Sequence, residues 1–220
     1  MVTLLQIVSL ILPWWLRRWL LCSLLGYDIA PTARIGVSIL AVKQLKLGDH
    51  AKVGHLNWVR RLDFLKIGAY GSLGNRNWVS AIERGPGVVP ASPNRVLALE
   101  IGTHGAVTNQ HLLDCSDKVT VGDFAIVAGW RSQIITHSID FARSAQTTAP
   151  VTIGPYSFVG TGSVVLKGSV LPAYSVLAAG STLTKEHSET HTLYGGVPAR
   201  PIKSLDAGMK FFSRAEGFVR

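Results

Sequence analysis

Aliphatic residues recur at every sixth position through the second half of the chain. Counted from the first of them, they are Ile153, Val159, Val165, Leu171, Leu177 and Leu183. A serine follows four residues after each of the first five, at Ser157, Ser163, Ser169, Ser175 and Ser181. A period of six differs from the period of a helix and from the alternation of an ordinary strand, and it is typical of a parallel β-helix. The pattern predicts stacked coils in which each hexad supplies a short strand and a tight corner.

The same pattern extends upstream with interruptions. It is recognisable at Ile29 and Ile35, at Leu47, Val53 and Val59, at Ile67, Leu73 and Val79, at Ile101, Val107, Leu113 and Val119, and at Val121 and Val127. Because the frame slips between these runs, we expect loops to interrupt the coil near residues 83–97 and 140–150. The 22 glycines and 10 prolines also favour many turns over a helical bundle. We predict an all-β coil domain over residues 27–184, followed by a C-terminal loop and tail over 185–220.

One run departs from the rule that a small residue occupies the serine position. If the frame continues from Val121 through Val127 to Gln133, that position holds Ala125, then Arg131, then His137. An imidazole fits there only if the corner opens, and the 140–150 insertion begins close by. Departures of this kind tend to mark functional sites. A neutral histidine, with an ordinary pKa near 6.5, is suited to take a proton from a hydroxyl group. His137 is therefore a candidate general base.

Residues 1–26 form a separate apolar segment, for which we predict a helix. The segment is rich in Leu and Trp, and its first charges are Arg17 and Arg18. The sixteen residues before them would reach about 24 Å as a helix, short of a hydrocarbon core of about 30 Å, and Pro13 would kink the helix. The late charges also differ from those of a secretory signal. Length thus disfavours a membrane span. Two interpretations stay open: an interfacial helix, with Leu and Trp in lipid and the arginines at phosphates, or a helix packed on its own domain or on a partner subunit.

The overall composition narrows the class of protein. With 220 residues, 47% of them hydrophobic, the chain has the size and apolar content of one folded domain, which excludes a disordered chain. The net charge of +9 comes from basic residues scattered along the chain, without a long basic run, so no nucleic-acid partner is expected. Two cysteines, Cys22 and Cys115, are too few to stabilise a fold of this size through disulfides. Their low number favours a reducing compartment. We expect a cytoplasmic protein, with residues 1–25 offering peripheral contact to the inner face of the cytoplasmic membrane.

The second half of the chain resembles a known family. The segment VTIGPYSFVGTGSVVLKGSVLPAYSVLAAGSTLTK, followed by GGVPARPIK, is similar to the hexapeptide-repeat acyltransferases, and the similarity extends over roughly residues 27–205. The Gly-Gly-Val-Pro-Ala-Arg motif marks the branch that uses acetyl-CoA on sugars, and within it the chain looks most like the O-acetyltransferases of bacterial polysaccharide synthesis. The resemblance implies a left-handed parallel β-helix with three hexads per turn, a homotrimer, acetyl-CoA as co-substrate, a sugar or glycan acceptor and no required metal.

The resemblance also assigns roles to residues. It places the catalytic histidine at His137 and a substrate-binding asparagine at Asn109, with His111 as a neighbour of the same status. Asp140 would orient the His137 ring or bind the acceptor, and Trp130 would line the binding site of the acetyl-CoA or the sugar. Acetyl-CoA contacts are implied at Thr161, Ala179, Thr184, Lys185, Arg200 and Lys203. Structural interpretations stay open beside these roles: a turn asparagine, a subunit-packing tryptophan, and corner or solvated residues elsewhere.

Three other functions remain alternatives. The same base would serve an acetyltransferase for a sugar amine or a small xenobiotic. A metal hydratase on a similar coil needs three converging histidines, and His50 and His55 have a suitable spacing but no upstream third partner. The third alternative is a non-catalytic trimeric scaffold, for which His137 would be dispensable.

Overall fold

Three parallel β-sheets wind around one apolar core and form a triangular β-helix. The computed structural model describes residues 2–85, 89, 94–217 and 219. Successive strands of one sheet come from successive coils, so each coil contributes one strand to each of three faces. The parallel strands are short, two to five residues each, because one face of a narrow prism accommodates few residues before the chain must turn.

The strand bounds follow the three faces in turn. The first face contains Asp28–Ile29, Gln44–Leu47, Phe64–Ile67, Ala98–Ile101, Val119–Val121, Val151–Ile153 and Val170–Leu171. The second contains Arg34–Ile35, Lys52–Val53, Ser72–Leu73, Ala106–Asn109, Ile126–Trp130, Phe158–Val159, Val176–Leu177, Thr192–Gly196 and Ala199–Ser204. The third contains Ile39–Ala41, Trp58–Arg60, Trp78–Ser80, Leu112–Asp114, Gln133–Ile135, Val164–Leu166 and Thr182–Leu183. A hairpin of His137–Asp140 and Ala145–Thr148 projects from the coil.

The core confirms the hexad pattern of the second half of the chain. All six aliphatic residues from Ile153 to Leu183 have no exposed side-chain surface, and the five serines between them are buried as well. The buried serines are satisfied by backbone groups; the Ser157 hydroxyl, for example, donates to the Pro172 carbonyl at 2.6 Å. Bonding of this kind removes the cost of burying a hydroxyl group. The coil therefore tolerates a small polar residue where it has no room for a larger apolar one.

Backbone hydrogen bonds join neighbouring coils in both directions. Ala30 donates to the carbonyl of Leu47 in the next coil at 2.9 Å, whereas Leu56 donates back to the carbonyl of Val37 at 2.6 Å. The first coil has no earlier coil beside it, so carbonyl groups on its outer side lack donors from the repeat. Unpaired backbone carbonyls at this end would be costly if they were covered by apolar side chains.

The N-terminal segment supplies the missing donors. It forms two helices, Val2–Ser9 and Trp14–Leu25, with Pro13 at the break between them and Gly26 ending the second helix in the left-handed conformation. The guanidinium of Arg17 donates to three carbonyls of the first coil, those of Ile35, Gly36 and Ser38, at 2.8–3.2 Å. The Nε group of Arg18 donates to the Ile29 carbonyl at 2.8 Å. The interpretation that both arginines meet lipid phosphates was wrong, because they cap the coil.

Rings stack along the corner between the first and second faces. The stacked side chains are His50, Tyr70, His104, Phe124, Tyr156, Tyr174 and His191, with neighbouring centroids 4.6–5.4 Å apart. Each lies at a turn residue with positive φ. Arg214 of the C-terminal tail places its guanidinium 5.5 Å from the Tyr156 ring centroid, a distance at which a cation is attracted to an aromatic face. The tail thus packs along the coil.

The described coil extends beyond the boundary expected at residue 184. Thr192–Gly196 pairs in parallel with Val176–Leu177, and the chain then returns as the antiparallel strand Ala199–Ser204. The hexad count missed this strand because Thr192–Gly196 follows an irregular connection and places Tyr194 in the core. Of the insertion expected near 83–97, residues 86–88 and 90–93 lie outside the described residues.

Replacing the buried arginine of the cap tests its contribution to stability. Arg17→Met retains the length of the side chain but leaves three backbone carbonyls without their donor. Since each hydrogen bond to a charged group contributes about 1.5–3 kcal/mol, we expect the free energy of unfolding to fall by about 3 kcal/mol or more. Urea unfolding followed by circular dichroism at fixed protein concentration measures the change. Lys52→Met on the exposed second face is the matched control, and equal stabilities of the two variants would contradict the capping role.

Candidate active site

The coil that leads to His137 holds one residue more than the hexad frame allows. Its strand Ile126–Trp130 shifts register against the preceding coil between Val107 and Asn109, and both Gly129 and Arg131 have positive φ. The inserted residue is typical of a β-bulge. As a result Ile134 points into the core in place of Gln133, and Ser132 occupies the small polar position in place of Arg131. The expectation that Gln133 faces the core was therefore wrong.

His137 lies where the chain leaves the coil. The third-face strand ends at Ile135, Thr136 is buried, and His137 is the first residue of the projecting hairpin. The hexad frame placed His137 at a serine position. The bulge moves the frame by one residue, so His137 does not occupy that position. The open corner beside the 140–150 insertion is present, and it leaves the imidazole about one-third exposed. His137 is thus accessible to a ligand from outside.

A buried carboxylate orients the His137 ring. Asp114 Oδ2 lies 2.8 Å from His137 Nδ1, and Asp114 itself is 7% exposed. The backbone N–H of Thr136 donates to the same oxygen at 2.9 Å, and the Ser116 hydroxyl donates to the other carboxylate oxygen at 2.5 Å. These donors hold the carboxylate in place, so that it fixes both the position and the tautomer of the imidazole.

The electrostatics of the pair favour a charged Asp114 and a more basic His137. Burial by itself raises the pKa of Asp114, but the hydrogen bonds from His137 and Ser116 outweigh it and lower that pKa. The hydrogen bond to Asp114 raises the pKa of His137 above its ordinary value, against the opposing effects of burial and of the nearby Lys167 charge. With Nδ1–H donated to the carboxylate, the Nε2 atom of neutral His137 remains free to accept a proton.

Sequence reasoning assigned ring orientation to the wrong aspartate. Asp140 accepts the backbone N–H of Arg143 at 3.1 Å and so stabilises the hairpin turn, whereas Asp114 contacts the imidazole. Asp114 is adjacent to His137 because it lies one coil earlier, as the register partner of Ile135. The signal in the sequence was an acidic residue at the end of the apolar run Leu112–Asp114. Binding of an acceptor by Asp140 stays a prediction.

His111 lies inside the coil and has a structural role. It belongs to a polar ladder whose members each lie two residues before an inward aliphatic residue: Ser38, Asn57, Asn77, His111, Ser132, Ser163 and Ser181. Its Nδ1 accepts the backbone N–H of Ser132 at 3.1 Å, so its Nε2–H donates to the Thr108 hydroxyl at 2.9 Å. Burial lowers the pKa of His111 to about 4. The side chain is therefore neutral and has no free nitrogen for catalysis.

Four other residues assigned by resemblance lie near the corner between the second and third faces. Asn109 Oδ1 accepts the backbone N–H of Asn75 at 2.9 Å, and the Thr161 hydroxyl accepts that of Trp130 at 2.9 Å. Ala179 packs close to Gly160 one coil earlier, where a Cβ would clash. The Trp130 ring is 57% exposed. Beside it runs a groove of about 370 Å³ lined by His55, Leu56, Asn75, Arg76, Asn109, Gln110 and Trp130.

A full face of the prism separates this corner from His137. The strand Gln133–Ile135 lies between Trp130 and His137. At about 3.3 Å per residue, their Cα atoms are on the order of 15–20 Å apart. One chain alone therefore does not bring the groove beside Trp130 together with the imidazole.

The remaining assigned residues lie at the C-terminal end of the coil. Thr184 and Lys185 follow the third-face strand two coils beyond the one that carries His137. Arg200 and Lys203 lie on Ala199–Ser204, as register partners of Gly195 and Leu193. After burial, the charges of Lys185 and Arg200 are the next causes that lower the pKa of His187. These two basic side chains therefore act on the same region, and together they are suited to an anionic group such as a phosphate.

The described residues do not converge on a metal site. Within residues 2–85, 89, 94–217 and 219, no three His, Cys, Asp or Glu side chains are arranged to hold an ion. His50 stacks on Tyr70, while His55 Nδ1 accepts the backbone N–H of Val37 at 3.1 Å. The pair considered for the hydratase alternative is thus engaged at two separate positions.

Comparison with known proteins identifies the fold. No family model matches the chain, and no curated protein matches it. Among solved structures, the polysialic acid O-acetyltransferase OatWY superposes with a TM-score of 0.61 at 16% identity, covering 81% of this chain and 84% of that one. Galactoside acetyltransferase in complex with coenzyme A gives 0.52 at 18% identity, covering 64% of this chain and 66% of that one. A hexapeptide transferase family protein from Anaplasma phagocytophilum gives 0.47 at 18% identity, covering 85% and 82%. The structural neighbours are hexapeptide-repeat acetyltransferases, and the left-handed β-helix fold is confirmed.

The buried His111 predicts a specific dependence of stability on pH. Its pKa is lower in the folded chain than in the unfolded one, so the unfolded state binds the proton more readily and stability falls as the pH drops from about 6.5 to about 4. The shift corresponds to roughly 3 kcal/mol. The variant His111→Asn has the same residue at this ladder position as the neighbouring coils have at Asn57 and Asn77. It should not show the loss of stability that His111 causes at low pH. Urea unfolding across that pH range tests it against His50→Asn as control, and parallel curves for His111→Asn and the wild type would contradict it.

Proposed function

We propose that the protein is an acetyl-CoA-dependent O-acetyltransferase that transfers acetyl to a sugar hydroxyl in the synthesis of a surface polysaccharide. The observation that carries the proposal is the His137–Asp114 pair, in which a buried carboxylate orients an accessible imidazole at an open corner of the coil. The fold is shared with a polysialic acid O-acetyltransferase and a galactoside acetyltransferase. Neither fold nor pair alone would suffice, because folds host many functions and histidine–aspartate pairs occur outside catalytic sites.

The chemistry follows from the free Nε2 atom of His137. That atom takes the proton of the acceptor hydroxyl as its oxygen attacks the thioester carbonyl, and Asp114 stabilises the imidazolium that forms. When the tetrahedral intermediate collapses, the carbon–sulfur bond breaks and the imidazolium returns its proton to the departing thiolate of coenzyme A. The products are an acetyl ester and a free thiol, and the histidine is again neutral. The raised pKa of His137 makes it a stronger base for the first of these steps.

For the donor, we assign the phosphates of acetyl-CoA to the basic side chains at the C-terminal end of the coil. Lys185 and Arg200 lie close enough to influence the same histidine, and the planar guanidinium of Arg200 suits a phosphate group. Thr161, Ala179, Thr184 and Lys203 are proposed as further contacts of the donor. A coenzyme A complex of galactoside acetyltransferase shows that a protein of this fold binds such a donor.

For the acceptor, the proposal includes a homotrimer whose sites form between chains. In a single chain, the groove beside Trp130 and the imidazole of His137 lie at different corners of the prism. A second copy that places its groove against His137 would bring Asn109 and Trp130 to the base. Asp140, on the projecting hairpin, is then in reach of an acceptor held between the two chains.

A thiol-release assay tests the proposed function. Acetyl-CoA is supplied with a panel of sugars, sugar amines, sugar nucleotides and glycans, and release of coenzyme A is followed for the wild type and for His137→Gln. Loss of a general base usually slows turnover by about a hundredfold or more, so the variant should lose acceptor-dependent release to that extent. Binding of acetyl-CoA, measured by calorimetry, should persist.

The control is His50→Gln, which removes an imidazole from the ring stack and should leave turnover unchanged. Equal turnover of His137→Gln and the wild type would contradict the assignment of the base. Faster release of coenzyme A with the sugar amines than with the sugars would mean that the acceptor group is an amine and not a hydroxyl. If the wild type neither binds acetyl-CoA nor releases thiol with any acceptor, the scaffold function takes the place of the enzyme.

A further inference from the structure

The polarity of the two N-terminal helices is inverted relative to that of a surface helix. A helix on a soluble domain normally turns its apolar side chains to the core and its polar ones to water. Here Gln6, Ser9 and Arg17 are buried against the first coil, beside the apolar Leu21. Apart from Thr3 and Ser23, the exposed side chains of the two helices are apolar. The large ones form what we call the outer face: Leu4, Ile7, Val8, Ile11, Trp15, Trp19 and Leu24, between 47% and 86% exposed.

The inversion has a physical cause in the coil. Because several carbonyls of the first coil lie on the side that no earlier coil covers, the groups that cover them must donate hydrogen bonds. Gln6 donates to the Leu40 carbonyl at 3.2 Å, and Arg17 and Arg18 cap carbonyls on the other two faces. Gln6 and both arginines are thus committed to the interior of the cap. The outer face is left without charge, because within residues 2–26 Arg17 and Arg18 are the only Lys, Arg, His, Asp or Glu residues.

We infer that the outer face is a membrane-binding surface that inserts into the headgroup region of an anionic bilayer. An uncharged patch of this extent on a soluble chain marks an interaction site. Tryptophan side chains, present here at positions 15 and 19, are favoured at the boundary between lipid headgroups and acyl chains. The helices contain 8 and 12 residues, and among the described residues no helix is long and apolar enough to cross a bilayer. The geometry therefore fits helices that lie in the interface.

The charge of the neighbouring coils selects an anionic lipid. The first 80 residues hold ten Lys and Arg against three Asp and Glu, and so carry +7 of the net +9 of the chain. Arg34 and Lys52 are exposed register partners on the second face, next to the helices, and the Arg34 guanidinium lies 5.9 Å from the Trp14 ring centroid. Two adjacent like charges favour an anionic counterpart, and basic side chains near a charged membrane surface strengthen binding to it.

Binding of full-length protein to vesicles tests the inference. The vesicles contain phosphatidylcholine alone or phosphatidylcholine with phosphatidylglycerol, and binding is measured by flotation and by partition titration. The wild type should float with the anionic vesicles. The variant Ile11→Gln/Trp15→Gln/Trp19→Gln should bind at least about tenfold more weakly, since it removes three large apolar contacts with lipid. Arg34→Gln/Lys52→Gln should lower binding to the anionic vesicles several-fold, without an effect on the neutral ones.

Controls separate the membrane surface from folding and from the proposed enzyme function. Phe141→Gln removes an aromatic side chain on the hairpin that is more exposed, at 89%, than either tryptophan, and should not change vesicle binding. The triple variant should keep the circular dichroism spectrum and the oligomeric state of the wild type. It should also retain turnover with a soluble acceptor, so that failure of one proposal does not imply failure of the other.

Three results would overturn the inference. The first is a wild type that binds neither kind of vesicle. The second is a triple variant that binds as tightly as the wild type, which would assign lipid binding to charge alone. The third is a lipid-free wild type that forms a larger assembly than the triple variant, which would make a second copy the occupant of the outer face.

Discussion

The first coil has no earlier coil to pair with, and this constraint governs the N-terminal end of the molecule. Inside the coil neighbouring turns satisfy each other's backbone groups, so the outer carbonyls of the first coil need donors from outside the repeat. Arg17, Arg18 and Gln6 provide them, and the chain must then accept an apolar outer surface on its N-terminal helices. At the other end, the sheet of the second face is continued by Thr192–Gly196 and closed by an antiparallel strand. Both ends of the coil are thus closed by segments that depart from the hexad repeat.

The candidate site depends on a local exception to the same regularity. A bulge between Val127 and Trp130 adds one residue to the coil, and the next strand ends at Ile135 with the chain leaving the prism. The parallel stacking places Asp114 of the preceding coil directly beside that exit. A buried carboxylate is costly unless it is well hydrogen-bonded, and the donors from Ser116, Thr136 and His137 meet that need. The contact between the proposed base and the carboxylate that orients it thus follows from strand register.

Much of the fold was predictable from the sequence, because a period of six reports directly on which residues enter a narrow core. The aliphatic series from Ile153 to Leu183 required no knowledge beyond the spacing. The frame around Gln133 was not predictable in this way, since a bulge changes the count by one without a distinctive residue. Asp114 was missed because it lies 23 residues before His137 and meets it only through coil stacking. Arg17 and Arg18 were interpreted as lipid-facing because the carbonyls that they cap belong to the coil and are not visible in the helix sequence.

If His137 is the general base and Asp114 orients it, the pH dependence of turnover should report on the pair. Acceptor-dependent thiol release is measured as kcat/KM against pH for the wild type, for Asp114→Asn and for the surface control Asp28→Asn. The wild type should gain activity as pH rises through a pKa above the ordinary value near 6.5, where the imidazolium loses its proton. In Asp114→Asn this limb should move to lower pH and the plateau should fall by about a hundredfold or more. Profiles of Asp114→Asn and the wild type that coincide would contradict the account.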